Sequence, residues 1–289
     1  MGNTLTGFQF ANNVAHGAFA ELSEGVAAML GPRAYGDDVR ALLGQAMAAM
    51  PLLATHLHFE GRINLQFQGE GGLKLLVAQV DHRLSVRAMA KAPAELRGGF
   101  GELLRGGILA LMLEPNGVNA QPSQALVPVE GDSLAQALEG YFGQSEQLPT
   151  LIRLAADGER LAGFMLQRLP LRDAQGTEQD WEHLAILAAT LTPRELLQAD
   201  APTLLRRLFH QEDVQLFEPR PVSIACRCSR AGISRLLLSL GQEEADTIVA
   251  EQGRIAVTCE FCGREYAFSR GETAELFAAA GSIPSDTRH

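Results

Sequence analysis

Apolar side chains in the first fifty residues recur at helical spacing. They fall every three or four positions in two runs, over 18–29 and 39–50, and this period predicts helices. The apolar positions are Ala18, Leu22, Val26 and Met29, followed by Val39, Leu42, Leu43, Ala46 and Met50. We therefore expect the chain to begin with helical structure.

The period changes to two after residue 60. Ile63, Leu65 and Phe67 alternate with polar residues, and the glycine-rich run 68–72 predicts a turn between strands. A single helix is predicted after Ser133, which begins a capping-box pattern. Further strands are predicted at 73–80, 84–88, 108–113, 126–129, 151–155 and 164–169. The pattern indicates an α+β core domain over residues 1–176, built on meandering antiparallel strands.

Residues 177–220 have the pattern of several short helices. Helix starts are indicated by Thr177-x-x-Asp180, by Thr192-Pro193-Arg194-Glu195 and by Asp200-Ala201-Pro202. Helices of roughly 8–12 residues are marginal in water and persist mainly by docking an apolar face. We therefore predict a helical, conditionally ordered linker that covers the core when folded, although ordinary interdomain helices would show the same pattern. Its apolar residues are Trp181, Leu184, Leu187, Leu191, Leu196, Leu197, Leu208 and Phe209.

All four cysteines lie in the last segment, 221–289. They form the pairs Cys226-x-Cys228 and Cys259-x-x-Cys262, with 30 residues between the pairs. Two closely spaced pairs are the usual donor set of a tetrahedral zinc site, so we expect one zinc ion per chain on the four sulfurs. An extended first pair would place both of its sulfurs on one face. Gly263 can take a positive φ that directs backbone N–H groups at sulfur. Two buried disulfides in an exported protein are the alternative.

The cysteine segment is expected to depend on its metal. It offers few large apolar side chains for a core, whereas structural zinc contributes about 10–16 kcal/mol of apparent binding energy in comparable peptides. Helices are predicted at 233–240 and 246–251, and strands at 255–257 and 266–268. The fold class is thus an antiparallel α+β core domain, a helical linker and a small C-terminal zinc-binding domain.

Composition and charge narrow the classes of function. The chain has 289 residues and a formal net charge of −10, and its segment 221–289 is itself acidic, with 7 basic and 9 acidic residues. A nucleic-acid-binding zinc ribbon normally has a basic face, so we expect no nucleic-acid partner. The sequence has no Gly-x-x-x-x-Gly-Lys loop, so nucleotide use is not expected. It also has no apolar run of 18 residues and no secretory signal, which predicts a cytoplasmic protein without a membrane partner.

Clustered cytosolic thiols suggest a redox switch. Thiolates gathered by zinc are partly neutralised nucleophiles, which peroxide or hypochlorite converts to sulfenic acid and then to disulfide. The nearest partner within each pair would join Cys226 to Cys228 and Cys259 to Cys262. Disulfide sulfur is a poor ligand, so zinc would be lost, the small domain and the linker helices would unfold, and apolar surface would become available to unfolded clients. On this interpretation the cysteines are a switch, and no enzyme activity is expected.

Two other functions use the same cysteines. The first is a zinc-ribbon module that binds nucleic acid or a protein, with a purely structural metal. The second is a thiol–disulfide oxidoreductase that uses Cys259-x-x-Cys262, although such enzymes usually place the attacking cysteine at a helix start within a βαβ unit.

Several motifs together resemble the heat-shock protein 33 family, the 33 kDa chaperonins, which are bacterial, cytosolic, redox-regulated holdases. The motifs are Gln-Phe-Gln-Gly-Glu-Gly at 66–71, Glu-Gly-Asp-Ser-Leu at 130–134, Tyr141-Phe142 with 145–150, Cys-Arg-Cys-Ser-Arg at 226–230, and Cys-Glu-Phe-Cys-Gly at 259–263 with Tyr266 and Phe268. The chain departs from the family pattern at His16, where a basic arginine is expected, and at Ala231, where an acidic residue is expected.

The resemblance implies a specific mode of action. Zinc would be held by Cys226, Cys228, Cys259 and Cys262 in the reduced, inactive form, and pairwise disulfides would form in the active form. It further implies dimerisation on activation and ATP-independent holding of unfolding client proteins.

Overall fold

The computed structural model describes residues 2–31, 33–56, 60–117, 120–129, 131–170 and 177–281. The chain divides into two compact units, Met1–Ala225 and Cys226–His289, which we call the core unit and the cysteine unit. Segment 177–220 belongs to the core unit. The finer division into core domain, linker and zinc-binding domain stays a prediction, and its boundary at residue 176 lies outside the described residues.

Two antiparallel sheets form the framework of the core unit. Its strands are β1 (Thr4–Phe10), β2 (Ala15–Leu22), β3 (Gly61–Gln68), β4 (Leu75–Asp81), β5 (Ser85–Lys91), β6 (Ile108–Pro115), β7 (Ser123–Val127), β8 (Thr150–Ala156), β9 (Leu161–Arg168), β10 (Val214–Leu216), β11 (Arg220–Pro221) and β12 (Ser223–Ile224). The first sheet has the order β10-β1-β2-β9-β8, with β11 also paired to β1. The second has the order β12-β5-β4-β3-β6-β7. The predicted meander corresponds to β3, β4 and β5, which pair consecutively.

One long helix lies between the two sheets. The helices before segment 177–220 are α1 (Val26–Leu30), α2 (Asp37–Leu53), α3 (Phe100–Leu103) and α4 (Leu134–Tyr141). Helix α2 packs against β2, β8 and β9 of the first sheet and β4 and β5 of the second. A helix covered on two sides is apolar over most of its circumference, and α2 is accordingly buried at most of its positions. The predicted helix over 39–50 is therefore confirmed, as is the Ser133 cap of α4.

The helix predicted to begin at residue 18 is wrong over its first part. Ala18 and Leu22 lie in β2, and only the short α1 around Val26 and Met29 is helical. Strand β2 is central in its sheet and is buried on both faces along most of its length. A strand buried on both faces loses the alternation of period two, so its apolar residues imitate a helical spacing.

Segment 177–209 forms three short helices, as predicted. They are α5 (Glu178–Ala189), α6 (Pro193–Gln198) and α7 (Ala201–Leu208). Thr177 and Thr192 each accept a backbone N–H three residues on and are capped reciprocally by Asp180 and Glu195, while Asp200 caps α7. Hydrogen bonds from Thr192 and then from Arg207 lower the pKa of Glu195 to about 2. The sequence signals for all three helix starts are confirmed.

These helices cover an apolar face of the first sheet. They share one buried cluster with β1, β2, β8 and β9, in which Phe8, Phe10, Phe19 and Phe164 come from the strands. The residues of this layer in the cluster are Trp181, Leu184 and Ala188 of α5, Leu191 between α5 and α6, Leu196 of α6, and Ala201, Leu204, Leu205 and Leu208 of α7, with Phe209 directly after α7. Leu187 and Leu197 pack against it at partly buried positions. The predicted apolar face is therefore docked in this structure.

The segment that follows α7 closes edges of both sheets. Strands β10 and β11 pair with β1, where Phe8 lies opposite Leu216 and Thr4 opposite Pro221. Strand β12 then pairs in parallel with β5, where Ile224 lies opposite Val86. Exposed strand edges invite pairing with other chains. The ten or so residues before the first cysteine therefore satisfy backbone groups in both sheets.

The cysteine unit is a small α+β fold. It contains α8 (Arg230–Leu240), α9 (Gln242–Gln252), the antiparallel hairpin β13 (Arg254–Thr258) and β14 (Glu265–Ser269), and α10 (Arg270–Gly281). The two predicted helices and two predicted strands are confirmed. Helix α10 was not predicted, although Ser269 and Glu272 form a reciprocal cap at its start. The buried core of the cysteine unit includes Leu237, Ala245, Val249, Ile255, Tyr266 and Phe268.

Among the described residues, no helix combines the length and the apolar character that crossing a bilayer requires.

Candidate four-cysteine metal centre

The two cysteine pairs are presented by different local structures. Cys226 and Cys228 lie in the irregular segment just before α8, whose first turn is capped by Ser229. Cys259 and Cys262 lie in the turn between β13 and β14. There the Cys259 N–H donates to the Arg264 carbonyl and the Gly263 N–H donates to the Cys259 carbonyl, each over 2.9 Å. Gly263 has a φ of +71°, as the sequence predicted, which permits this tight turn.

The four sulfurs converge. The Sγ atoms of Cys226, Cys228, Cys259 and Cys262 all lie within 4.8 Å of one another. The contacts between Cys226 and Cys259 and between Cys228 and Cys262 are both 3.5 Å. Zinc–sulfur bonds of about 2.3 Å in a tetrahedron place the sulfurs about 3.8 Å apart. Both the donor set and its dimensions therefore fit a zinc ion.

Sulfur contacts also join cysteines of different pairs. Cys226 contacts Cys259 and Cys228 contacts Cys262 at the same 3.5 Å separation. All four sulfurs lie within 4.8 Å of one another, so the folded, reduced arrangement does not single out one disulfide pairing. The within-pair disulfides stay a prediction.

The local environment gives the cysteine thiols different pKa values. Burial raises the pKa of the Cys259 thiol, but N–H groups of Cys262 and Phe261 and the neighbouring thiols outweigh it and lower that pKa to about 7. Burial raises the pKa of Cys226 to about 12, and the neighbouring thiols contribute in the same direction. Crowded thiols do not all ionise together, because each thiolate disfavours the next. A divalent cation would relieve this repulsion.

Backbone N–H groups and the Tyr266 side chain supply hydrogen-bond donors to the sulfurs. Backbone N–H groups of Cys228 and Arg264 are hydrogen-bonded to the sulfurs of Cys226 and Cys262, respectively. The hydroxyl of Tyr266 donates to Cys228 Sγ over 3.1 Å. Sequence reasoning used Tyr266 only as a strand and motif residue, and the 38 residues that separate it from Cys228 give no sequence signal for this contact.

A second contact that sequence reasoning missed joins the two halves of the cysteine unit. Arg230 donates to the Ala267 carbonyl over 2.9 Å and to the Glu272 carboxylate over 2.6 Å. Its guanidinium carbon lies 4.1 Å from the centre of the Phe268 ring. Arg230 follows the first cysteine pair and its partners follow the second. A separation of about forty residues gives no sequence signal for such a contact.

The structure also locates His16 and Ala231, the two positions where the resemblance led us to expect other residues. His16 is a partly buried residue of β2 in the core unit, opposite Gln167 of β9. Burial lowers the pKa of His16, and the nearby His56 lowers it further, while a hydrogen bond to Gln167 acts in the opposite direction. Ala231 is exposed in the first turn of α8, which contains no acidic residue.

Comparisons with known proteins agree along nearly the whole chain. The family model described as Hsp33 protein matches residues 3–269. The chain is 41% identical to the 33 kDa chaperonin of Ectopseudomonas mendocina over 290 residues, which cover 98% of both chains. It is 42% identical to the 33 kDa chaperonin of Nitrosococcus oceani over 289 residues, which cover 99% of both. These matches leave little of either relative unaligned.

A solved structure shows the same fold. The crystal structure of the 33 kDa chaperonin, a heat shock protein 33 homolog, from Thermotoga maritima superimposes with a TM-score of 0.78. The match covers 96% of this chain and 99% of that chain at 21% sequence identity. At that identity the likeness concerns the fold alone.

Proposed function

The chain belongs to the Hsp33 family, and we propose that it is an ATP-independent holdase that is switched on by oxidation of its four cysteines. A chaperone function follows from the family, because the relatives that match almost end to end are 33 kDa chaperonins. The redox proposal is carried by one observation. The sulfurs of Cys226, Cys228, Cys259 and Cys262 meet within 4.8 Å in a unit whose apolar core is small.

The four cysteines are proposed to hold one zinc ion per chain in the reduced state. The donor set consists of sulfur alone, and its spacing fits tetrahedral coordination. A zinc ion bound there would supply the bonds that hold the two cysteine pairs together. Around it, backbone N–H groups and the Tyr266 hydroxyl stabilise the thiolate form of the ligands.

Oxidation removes ligands two at a time. A thiolate of one pair attacks hydrogen peroxide, which gives a sulfenic acid and hydroxide, and the second thiol of that pair then displaces water to form the disulfide. Each disulfide thus consumes one thiolate, one thiol and one peroxide and releases one hydroxide and one water. We propose the pairs Cys226–Cys228 and Cys259–Cys262, because a short loop closes at the lowest entropic cost once the centre opens. Disulfide sulfur no longer serves as a good ligand.

We propose that unfolding of the cysteine unit destabilises the docked helices through the chain segment that connects them. Residues 214–224 join the α5–α7 layer to Cys226 and are held at the sheet edges by short strands only. Helices as short as α6 and α7 depend on their docked face. When the cysteine unit unfolds, undocking of these helices would uncover the apolar face that includes Phe8, Phe10 and Phe164. That face and the freed helices are the proposed contact surface for unfolded clients.

Further properties belong to the same proposal. We expect unfolded client proteins as partners, a homodimer in the activated state, and a cytoplasmic location. No nucleotide, nucleic acid or membrane is required for the holding step, and we propose no enzymatic reaction on the client.

The test compares reduced and oxidised forms of the full chain. Reduced, zinc-loaded protein is treated with peroxide at mildly elevated temperature, and zinc release, free thiols and suppression of aggregation of a denatured enzyme are followed together. Suppression should be low before oxidation and should rise as zinc and thiols are lost. A variant with Cys226→Ser and Cys228→Ser lacks two of the four proposed ligands. It should therefore suppress aggregation before any oxidant is added, which separates loss of the centre from oxidation itself.

Two outcomes would reject the proposal. Equal suppression by the reduced, zinc-loaded form would remove the redox switch. Salt-dependent binding of duplex or single-stranded nucleic acid by the reduced form, without any holding activity, would instead favour the zinc-ribbon function.

A further inference from the structure

Tyr266 is fixed by packing and directed at a ligand sulfur. Its ring lies in the buried cluster of the cysteine unit with Leu237 and Phe268, and the residue is 8% exposed. It stands in β14 opposite Val257 of β13. Its hydroxyl donates to Cys228 Sγ over 3.1 Å. The apolar body holds the ring in place while the polar tip reaches the metal centre.

We propose that Tyr266 is the positioning residue that sets how tightly the four-cysteine centre holds its metal and how readily Cys228 is oxidised. This inference rests on the proposed function, because it assumes that the four sulfurs bind zinc in the reduced state. It concerns a residue outside the ligand set.

The hydroxyl acts on the charge of the centre. Four thiolates around one divalent cation carry excess negative charge, and each hydrogen bond to sulfur withdraws part of it. Cys226, Cys259 and Cys262 receive such bonds from backbone N–H groups, which no side-chain substitution removes. The bond from Tyr266 to Cys228 is supplied by a side chain and can be deleted alone.

Deleting the hydroxyl should loosen the centre and expose Cys228 to oxidant. Without the hydrogen bond its thiolate carries more charge, so the ligand set repels itself more strongly and the sulfur becomes a better nucleophile. Peroxide then converts Cys228 to a sulfenic acid with release of hydroxide, and the Cys226 thiol displaces water to form the disulfide. Disulfide formation should therefore become faster first at the Cys226–Cys228 pair.

The experiment uses the reduced full chain with Tyr266→Phe, which keeps the ring and removes the hydroxyl. Tyr141→Phe is the matched control, because the Tyr141 hydroxyl donates to Glu146 over 3.0 Å within the core unit. Each protein is loaded with Co²⁺ to record the thiolate-to-cobalt charge-transfer band. Zinc affinity is measured by competition with a chromophoric chelator. Peroxide oxidation of each pair is followed by alkylation and peptide mass spectrometry.

We expect Tyr266→Phe to bind zinc about 10-fold to 100-fold more weakly, the range typical for loss of an outer-layer partner. Its cobalt band should shift, and its Cys226–Cys228 disulfide should form several-fold faster at early times. Tyr141→Phe should match the parent in all three measurements. A role for Tyr266 in packing alone would leave the cobalt band unchanged, because phenylalanine preserves the packing.

The two proposals fail in different ways. An unchanged cobalt band and unchanged zinc affinity in a folded Tyr266→Phe protein overturn the role of Tyr266 and leave the holdase proposal intact. A parent protein that shows no four-thiolate cobalt spectrum overturns the metal centre itself. Should Tyr266→Phe not fold, site-specific incorporation of 3-fluorotyrosine at position 266 carries the test. It keeps the ring and the hydroxyl but makes the hydroxyl a stronger donor to Cys228 Sγ, so zinc should bind more tightly. An unchanged affinity there overturns the inference.

Discussion

Phe209 packs edge to face on Phe10, with ring centroids 5.0 Å apart and ring planes at 84°. Phe10 lies in β1, whereas Phe209 directly follows α7, so this contact joins the short helices to the sheet. The aromatic row continues across the sheet, because Phe10 contacts Phe8 at 6.1 Å and Phe8 stacks on Phe164 at 5.7 Å. Phe209 is therefore the end of a row of rings that undocking would uncover.

Phe209→Ala should weaken docking of the helices while the cysteine unit stays intact. Truncation of a buried phenylalanine costs about 3–5 kcal/mol, and Phe209 is 2% exposed. Hydrogen exchange in segment 178–208 should rise in the reduced, zinc-loaded variant, and partial holding activity should appear without oxidation. Phe217→Ala is the control, because Phe217 is 46% exposed. Unchanged exchange in Phe209→Ala would contradict a role for this contact in docking.

Removal of zinc from the reduced protein should unfold the cysteine unit and loosen the segment before it. The buried apolar residues described for this unit form a small core, and structural zinc contributes about 10–16 kcal/mol in comparable peptides. Chelation without oxidant should therefore abolish hydrogen-exchange protection in 230–281 and reduce it in 177–224, while β1–β9 remain protected. Cys262→Ser should show the same pattern without a chelator. If residues 230–281 stay protected from hydrogen exchange without zinc, the small apolar core alone keeps this unit folded.

Arg230→Ala should destabilise the metal-loaded cysteine unit. The change deletes the hydrogen bond to Ala267, the ion pair with Glu272 and the contact with the Phe268 ring. The cation–π contact alone contributes about 0.5–1 kcal/mol at an exposed site. Zinc release on heating should begin at a lower temperature than in the parent. Arg254→Ala, which removes an exposed pair with Glu265 at 3.5 Å, is the control and should leave that temperature nearly unchanged.

His16 should make the core unit sensitive to mild acid. Burial, followed by the charge of His56, lowers the pKa of His16 below its ordinary value of 6.5. The unfolded chain therefore binds more protons than the folded chain near and below pH 6.5, and stability falls as the pH falls through that range. His16→Gln should lose this dependence. The free energy of unfolding is measured at pH 7.5 and 5.5 by urea titration, followed by the fluorescence of Trp181, which is buried in the docked layer.

The control for His16 must separate its titration from metal loss, which also depends on pH. His210→Gln changes an exposed histidine in the same unit and should retain the slope of the parent. Equal slopes for the parent and for His16→Gln would show that His16 contributes nothing to the acid response.

The local elements of this fold were predictable where a single face is buried or a cap is present. The short helices after Thr177, Thr192 and Asp200 begin where their caps predict. The failure at β2 has a physical cause, because a central strand with two buried faces carries no alternation for a pattern to reveal. Helix α10 carried a usable signal at Ser269 and Glu272 that the sequence interpretation did not use.

The sequence by itself predicted the candidate ligand set, since four cysteines in two close pairs have few other partners. It also determined the family and the amphipathic character of the three short helices over 178–208. Only the tertiary structure decided which sulfurs touch, that Tyr266 reaches Cys228, that Arg230 joins the two halves of the cysteine unit, and that Phe209 meets Phe10. These contacts join residues brought together by chain folding. Local spacing encodes caps and periods, whereas a contact between distant residues depends on how whole elements pack.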